Sequence, residues 1–142
     1  MSEVRYIPAK PPKREMKVGI YCRVSSSGKE QLKSLAAQAS GLTHLVASTP
    51  QWLLVDMYMD VGSAKADCVR REFLRMIEDC RIGKLDIVIA KSVSRFGRDT
   101  VMVLDAVRKI KEVGARVLFT KEELDTEHLD FELYLSLFGC LE

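Results

Sequence analysis

Cysteine, histidine and charge of one sign are all scarce in this chain of 142 residues, and each scarcity closes off a class of chemistry. The four cysteines, Cys22, Cys68, Cys80 and Cys140, form no CxxC pair and have no histidine at zinc-finger spacing, so reduced and mostly buried thiols are expected. The two histidines, His44 and His128, stand in no nucleophile-activating context, and no carboxylate pair has metal-site spacing; no metal and no cofactor is expected. A net charge of +2 gives bulk charge no case for a polyanionic partner, so any such case must rest on local clustering of arginine. Apolar runs are too short to span a bilayer and the N-terminus lacks the apolar core of a secretory signal. A cytoplasmic protein with no membrane partner is the expectation.

What is present suits one globular domain, since a hydrophobic share of 47% in a chain of this length can bury a core. The first fifteen residues, with Pro8, Pro11 and Pro12 among Arg5, Lys10, Lys13 and Arg14, have neither helical nor strand period and read as a flexible basic arm. From Lys17 the chain turns apolar, and Val18 to Cys22 reads as a strand covered on both faces. Ser27 with Glu30 is a capping-box pattern, and Leu32, Leu35, Ala36, Ala39 and Leu42 then set a helix over about 28–46. Trp52 to Met59 is a second strand, closed by the loop Asp60-Val61-Gly62-Ser63. Phe73, Met76, Ile77 and Cys80 mark a second helix that Gly83 ends. Asp86 to Ala90 is a third strand, Val101, Leu104, Val107 and Ile110 form the stripe of a third helix ended by Gly114, and Arg116 to Thr120 is a fourth strand. The alternation predicts an α/β fold: a mostly parallel sheet of four to five strands with helices on both faces.

In such a sheet the carboxyl ends of the parallel strands share one rim, where ligands bind. Two clusters fall there: Tyr21-Cys22-Arg23-Val24-Ser25 after the first strand and Ser94-Arg95-Phe96-Gly97-Arg98-Asp99-Thr100 after the third. Arginine is always charged and presents a planar fork matched to two phosphate oxygens, so cations around a hydroxyl suit phosphate chemistry. Duller readings exist for each residue taken alone. An arginine after a strand is usually a solvated charge, Asp60 could form an Asx turn before Gly62, and the serines 25–27 could be only a loop and a helix cap. Cys22 as a phosphatase-like nucleophile would need an arginine six positions on, and Gly28 stands there; it reads as a small core residue.

Taken in order, Tyr21 to Ser25, Ser34-Leu35-Ala36-Ala37-Gln38, Asp60 to Ser63, Arg70-Arg71-Glu72-Phe73 and Ser94 to Thr100 resemble the catalytic domain of the serine recombinases, the resolvase/invertase family. The resemblance covers about 17–142, and the length of the segment from Ser25 to Gln38 looks most like the large serine recombinases, or integrases. It implies a catalytic domain over 16–128, after the arm at 1–15. It also implies that the apolar stretch 129–142, with Phe131, Leu133, Leu135, Leu137, Phe138 and Leu141, begins a long oligomerisation helix of a longer protein. The alternative for that stretch is a final core helix.

The resemblance further implies Ser25 as nucleophile in DNA cleavage and rejoining through a 5′-phosphoserine link, without ATP. Arg23, Arg95, Arg98 and Arg70 match the family's active-site arginines, and Asp60 a carboxylate that orients an arginine or the leaving hydroxyl. Gln38, Ser63 and Tyr21 match supporting positions bordering the site or the DNA. Ser94 stands where small resolvases carry aspartate, Ala64 replaces a frequent glycine and Arg71 a common proline. Implied partners are DNA at two recombination sites and further copies of the chain, dimer to tetramer in the synaptic complex. The implied setting is the nucleoid of a bacterium, or a phage or mobile element carried there. The rival from another class is a flavodoxin-like or response-regulator-like module that binds a phosphate or a partner without breaking bonds.

Overall fold

Every residue from Val18 to Val24 is buried, and that run makes β1 (Met16–Val24) the inner strand its sequence predicts. In the computed structural model, which describes residues 15–62, 70–97 and 99–127, the chain proceeds from β1 to α1 (Lys29–Ser48), β2 (Trp52–Val61), α2 (Arg71–Arg81) and β3 (Ile87–Ala90). It continues through α3 (Val93–Phe96), α4 (Thr100–Glu112), β4 (Arg116–Phe119) and β5 (Leu124–Asp125). The sheet order is β2-β1-β3-β4-β5, parallel except for the β4–β5 pair. The fold is thus the expected mixed α/β sheet, with the fifth strand a two-residue antiparallel addition. The basic arm through Arg14 and the apolar stretch 129–142 lie outside the described residues.

Strand alternation divides β1 between two cores. Val18, Ile20, Cys22 and Val24 face α1 and pack with Leu35, Leu42 and Val46, while Tyr21 faces the other way, into the core built by α2, α3 and α4. After β1 the chain leaves to one face of the sheet, and after β3 it leaves to the opposite face. The rim between the ends of β1 and β3 is therefore a switch point, where an open α/β sheet forms a crevice.

Three helix details depart from the sequence reading. Gly28, not Ser27, occupies the N-cap of α1 and no side chain caps it; the Ser27–Glu30 box does not form. The buried stripe of α1 is Leu35, Gln38, Leu42 and Val46, leaving Leu32 46% exposed, because the polar Gln38 is drawn inward by the end of β1. In α4, Val107 and Ile110 are buried and Leu104 packs against the core as expected, joined by Val103 and Ala106, but Val101 is 70% exposed: Asp99 caps the helix by accepting from the Val101 amide, which leaves Val101 in the exposed first turn. Gly83 and Gly114 end α2 and α4 with φ of 84° and 86°, as expected for glycine in the left-handed region.

Candidate active site

The rim site starts from Phe96, the one side chain of α3 that is fully buried. Its ring stands edge-on to Phe73, Phe119 and Tyr21, with centroids 5.0, 5.1 and 6.0 Å away. Burying a side chain of this size contributes about 2 kcal/mol and fixes a helix too short to hold itself. With Phe96 turned inward, Ser94 and Arg95 face the crevice.

A four-residue helix leaves its carbonyls without partners, and two buried arginines supply the missing donors. Arg23 donates from Nε to the Arg95 carbonyl (3.1 Å), from one terminal nitrogen to Ser94 O (2.8 Å) and from the other to Gly62 O (3.3 Å). Arg70 donates to Arg95 O (2.7 Å) and to Phe96 O. The Arg95 carbonyl is therefore shared by two guanidinium groups, one from β1 and one from the start of α2. Arg70 also lies over the Phe73 ring, 3.9 Å from its centroid.

Behind this layer stands a closed polar chain. The Tyr21 hydroxyl accepts from Arg70 Nε and a terminal nitrogen (3.3 and 3.0 Å) and donates to Asp60 Oδ2 (2.8 Å). Asp60 also accepts from the Glu72 and Phe73 amides, both at 3.0 Å, and so caps the N-terminus of α2. These bonds reach twelve residues ahead, so Asp60 is not the local Asx turn. Burial drives the Tyr21 phenol well above its usual range, against the pull of Arg70. On the opposite face, burial pushes the Cys22 thiol up to about 11, in keeping with a core residue. Gln38 clasps the end of β1 from α1, accepting from the Arg23 amide (3.4 Å) and donating to the Arg23 carbonyl (3.3 Å).

In front lies a cavity of about 440 Å³ lined by Arg23, Val24, Ser25, Glu30, Gln31, Ser34, Ser94 and Arg95. Ser25 is exposed and Arg23 is 6% exposed. Arg95 Nε is buried and has no hydrogen-bond partner among the described residues. Of the nine residues singled out in the sequence, Ser25, Arg23 and Arg95 line this cavity, while Tyr21, Gln38, Asp60 and Arg70 stand behind it. Ser63 and Arg98 lie outside the described residues. Sequence reasoning missed Glu30, Gln31 and Ser34 as lining residues, although the helical spacing of 30, 31 and 34 and their place after Ser25 carry that signal.

Residues 18–142 match the model of the resolvase N-terminal domain. The chain belongs to the resolvase family. It is 26% identical over 110 residues to a resolvase/recombinase of Pseudomonas putida, a match covering 75% of this chain and 52% of that protein. The chain thus spans about half the length of the curated relative it matches. Among solved structures it resembles a resolvase family site-specific recombinase from Streptococcus pneumoniae (28% identity, TM-score 0.76, 89% of this chain and 87% of that one). It also resembles the N-terminal catalytic domain of TP901-1 integrase (25% identity, TM-score 0.71, 88% and 92%). This resolvase-family catalytic domain leaves the flavodoxin-like reading without support. Among the described residues, no helix is long and apolar enough to cross a membrane.

Proposed function

We propose that this chain is the catalytic domain of a site-specific DNA strand transferase in which Ser25 is the nucleophile. The observation that carries the proposal is the shared cavity: an exposed serine faces the same space as Arg23 and Arg95, at the switch point of the sheet. A phosphodiester in that space would meet Arg95, whose Nε has no hydrogen-bond partner among the described residues.

In the proposed step the Ser25 oxygen bonds to phosphorus while the bond from phosphorus to the 3′ oxygen breaks. The serine proton ends on the departing 3′ hydroxyl. One phosphodiester replaces another, so the reverse attack by an exchanged 3′ hydroxyl reseals the strand without an external energy source. Fixed cations lower the cost of the serine alkoxide and of the charge gathering on the phosphoryl oxygens. Arg95 and Arg98 are assigned to the phosphate. Arg23 and Arg70 are assigned chiefly to holding α3, through the carbonyls they already engage, so that Arg95 is presented. Tyr21 and Asp60 hold Arg70, and Gln38 holds the strand end before Ser25. Ser63 is assigned to the rim of the same site.

The working unit would be a dimer that pairs into a tetramer across two DNA sites, with 129–142 opening the oligomerisation helix. Incubating the full protein with its nicked target DNA and mapping the adduct by mass spectrometry tests the assignment. A phosphate ester on Ser25, absent in Ser25→Ala, is expected. An adduct on another residue, or one that survives in Ser25→Ala, sinks the proposal. Replacing Arg95 should slow adduct formation by about 10²–10³-fold.

A further inference from the structure

A second groove adjoins the Ser25 cavity, and nothing in the proposed chemistry uses it. It measures about 360 Å³ and is lined by Ala37, Gln38, Gly41, Leu42 and Leu45 of α1, with Lys91 after β3 and Thr120 after β4 on the other side. The two spaces share both walls. On α1, Ser34 lines the first and Gln38 the second, and Gln38 donates to the Ser34 hydroxyl at 3.5 Å. Across from α1, Lys91 directly precedes Ser92, whose hydroxyl bonds that of Ser94 (3.0 Å) in the first wall. Together they line one stretch of the rim between α1 and the chain that follows β3. At about 1.5 Å per helical residue, its α1 wall from Ser34 to Leu45 is roughly 16 Å long.

Two residues of the groove are not explained by the fold. Gly41 sits inside a twenty-residue helix, where glycine weakens the helix relative to alanine. A Cβ added there would have no heavy atom within 4 Å, and its backbone is not in the left-handed region, so neither sterics nor conformation calls for glycine. Lys91 is exposed and makes no ion pair among the described residues; only its carbonyl is engaged, by the Lys121 amide (2.7 Å) and the Thr120 hydroxyl (3.2 Å). An open apolar floor beside an uncommitted cation fits a ligand with one flat apolar surface and one negative charge.

We infer that the groove is a subsite for the nucleotide next to the phosphodiester held at Ser25, its sugar and base resting over Ala37 and Gly41 and its phosphate drawn by Lys91. The inference rests on the assignment of the Ser25 cavity to a phosphodiester. The shared course of the two spaces along α1 selects DNA as the occupant, since a strand with one phosphodiester at Ser25 can lay its next nucleotide along the same helix, and the volume is in the range of small-ligand sites.

The test uses the chain with two probes, inorganic phosphate and the dinucleotide TpT, followed by backbone amide shifts in NMR. Phosphate should move Arg23, Ser25, Ser94 and Arg95 alone, and TpT should in addition move Ala37, Gly41, Lys91 and Thr120. Gly41→Leu fills the groove with a better helix former, and it should weaken TpT on the order of fivefold or more while leaving phosphate binding unchanged. Lys91→Gln should weaken the trinucleotide TpTpT, whose second phosphodiester reaches the groove, and leave TpT unchanged. Shifts at Ser25 and Arg95 without shifts in the groove, or full TpT affinity in Gly41→Leu, overturn the subsite and leave the catalytic assignment standing. Failure of both probes to move Ser25 and Arg95 counts against the catalytic assignment itself.

Discussion

The two walls of the Ser25 cavity are held in very different ways. On the side of α2 and α3, Tyr21, Arg23, Asp60 and Arg70 are each no more than 9% exposed, and their polar groups meet one another or backbone. On the side of α1, residues 25–30 are all exposed, and among the described residues the segment from Ser25 to Gly28 is tied by one side-chain bond, from the Gly28 amide to the Ser26 hydroxyl at 3.5 Å. Positive charge is set in place by the fold, and Ser25, the proposed nucleophile, sits on a loosely tied segment. That division suits a reaction whose electrostatics must be organised beforehand and whose nucleophile must come to a phosphate that arrives with DNA.

The comparison breaks most severely if the firm wall is cut at Arg70. Arg70→Ala would leave the Tyr21 hydroxyl and the Arg95 and Phe96 carbonyls short of donors and open a void over Phe73. A loss of about 3 kcal/mol or more in urea unfolding is expected. A loss under about 0.5 kcal/mol, typical of a surface charge, would mean that the arginine does not hold α3. Asp60→Ala follows, at about 2–3 kcal/mol, since one carboxylate both caps α2 and receives Tyr21. Tyr21→Phe, which keeps the ring packing, should cost less than either.

Much of this wall was legible in the sequence, because Tyr21, Arg23 and Asp60 stand in motifs next to strand ends and Arg70 in a motif at the start of α2. Their direction was not. Spacing marks an arginine as present on the rim, whereas its orientation depends on which unpaired carbonyls lie nearby, and those belong to α3, a helix too short to leave any period in Val93 to Phe96. The start of α1 was misread for a related reason. The N-cap falls on Gly28, one residue past Ser27, and no side chain caps it, so the serine and Glu30 are left without the cap their pattern suggests. Gln38 hid the stripe of α1, since a polar residue committed to the end of β1 looks solvent-facing in a pattern built on hydropathy. The strands were easier because near-continuous apolar runs such as Val18 to Cys22 have few other readings.

A smaller effect sharpens the contrast through pH. Asp56 on β2 bonds Arg75 of α2 (2.8 Å) and Lys84 (3.1 Å), and the Arg75 guanidinium, the larger cause, holds its carboxyl down at about 2. A carboxyl whose pKa is lower folded than unfolded contributes stability above the ordinary range near ~4 and loses it as pH falls through about 2. Thermal melts of the parent and of Asp56→Asn should therefore differ at pH 6, converge between pH 4 and 2, and coincide below. A gap that stays constant across that range would show that the ion cluster does not titrate with the fold.

The smallest expected effect is on the loose wall. Ser26→Ala removes only the long bond to the Gly28 amide, and that amide is exposed and can turn to water. Gly28→Ala places a methyl within 2.4 Å of Gln31 Oε1, the free end of a flexible side chain that can swing away, and the N-cap backbone at φ −60° suits alanine. Each should change unfolding stability by no more than about 0.5 kcal/mol. Their value lies in the pairing with Arg70→Ala: if the segment around Ser25 is a tether rather than a support, these variants keep the fold and change only the rate of the adduct formation proposed for Ser25. Loss of stability comparable to that of Arg70→Ala would show that residues 25–28 are part of the scaffold, and the division between a fixed charge and a loosely held nucleophile would have to be given up.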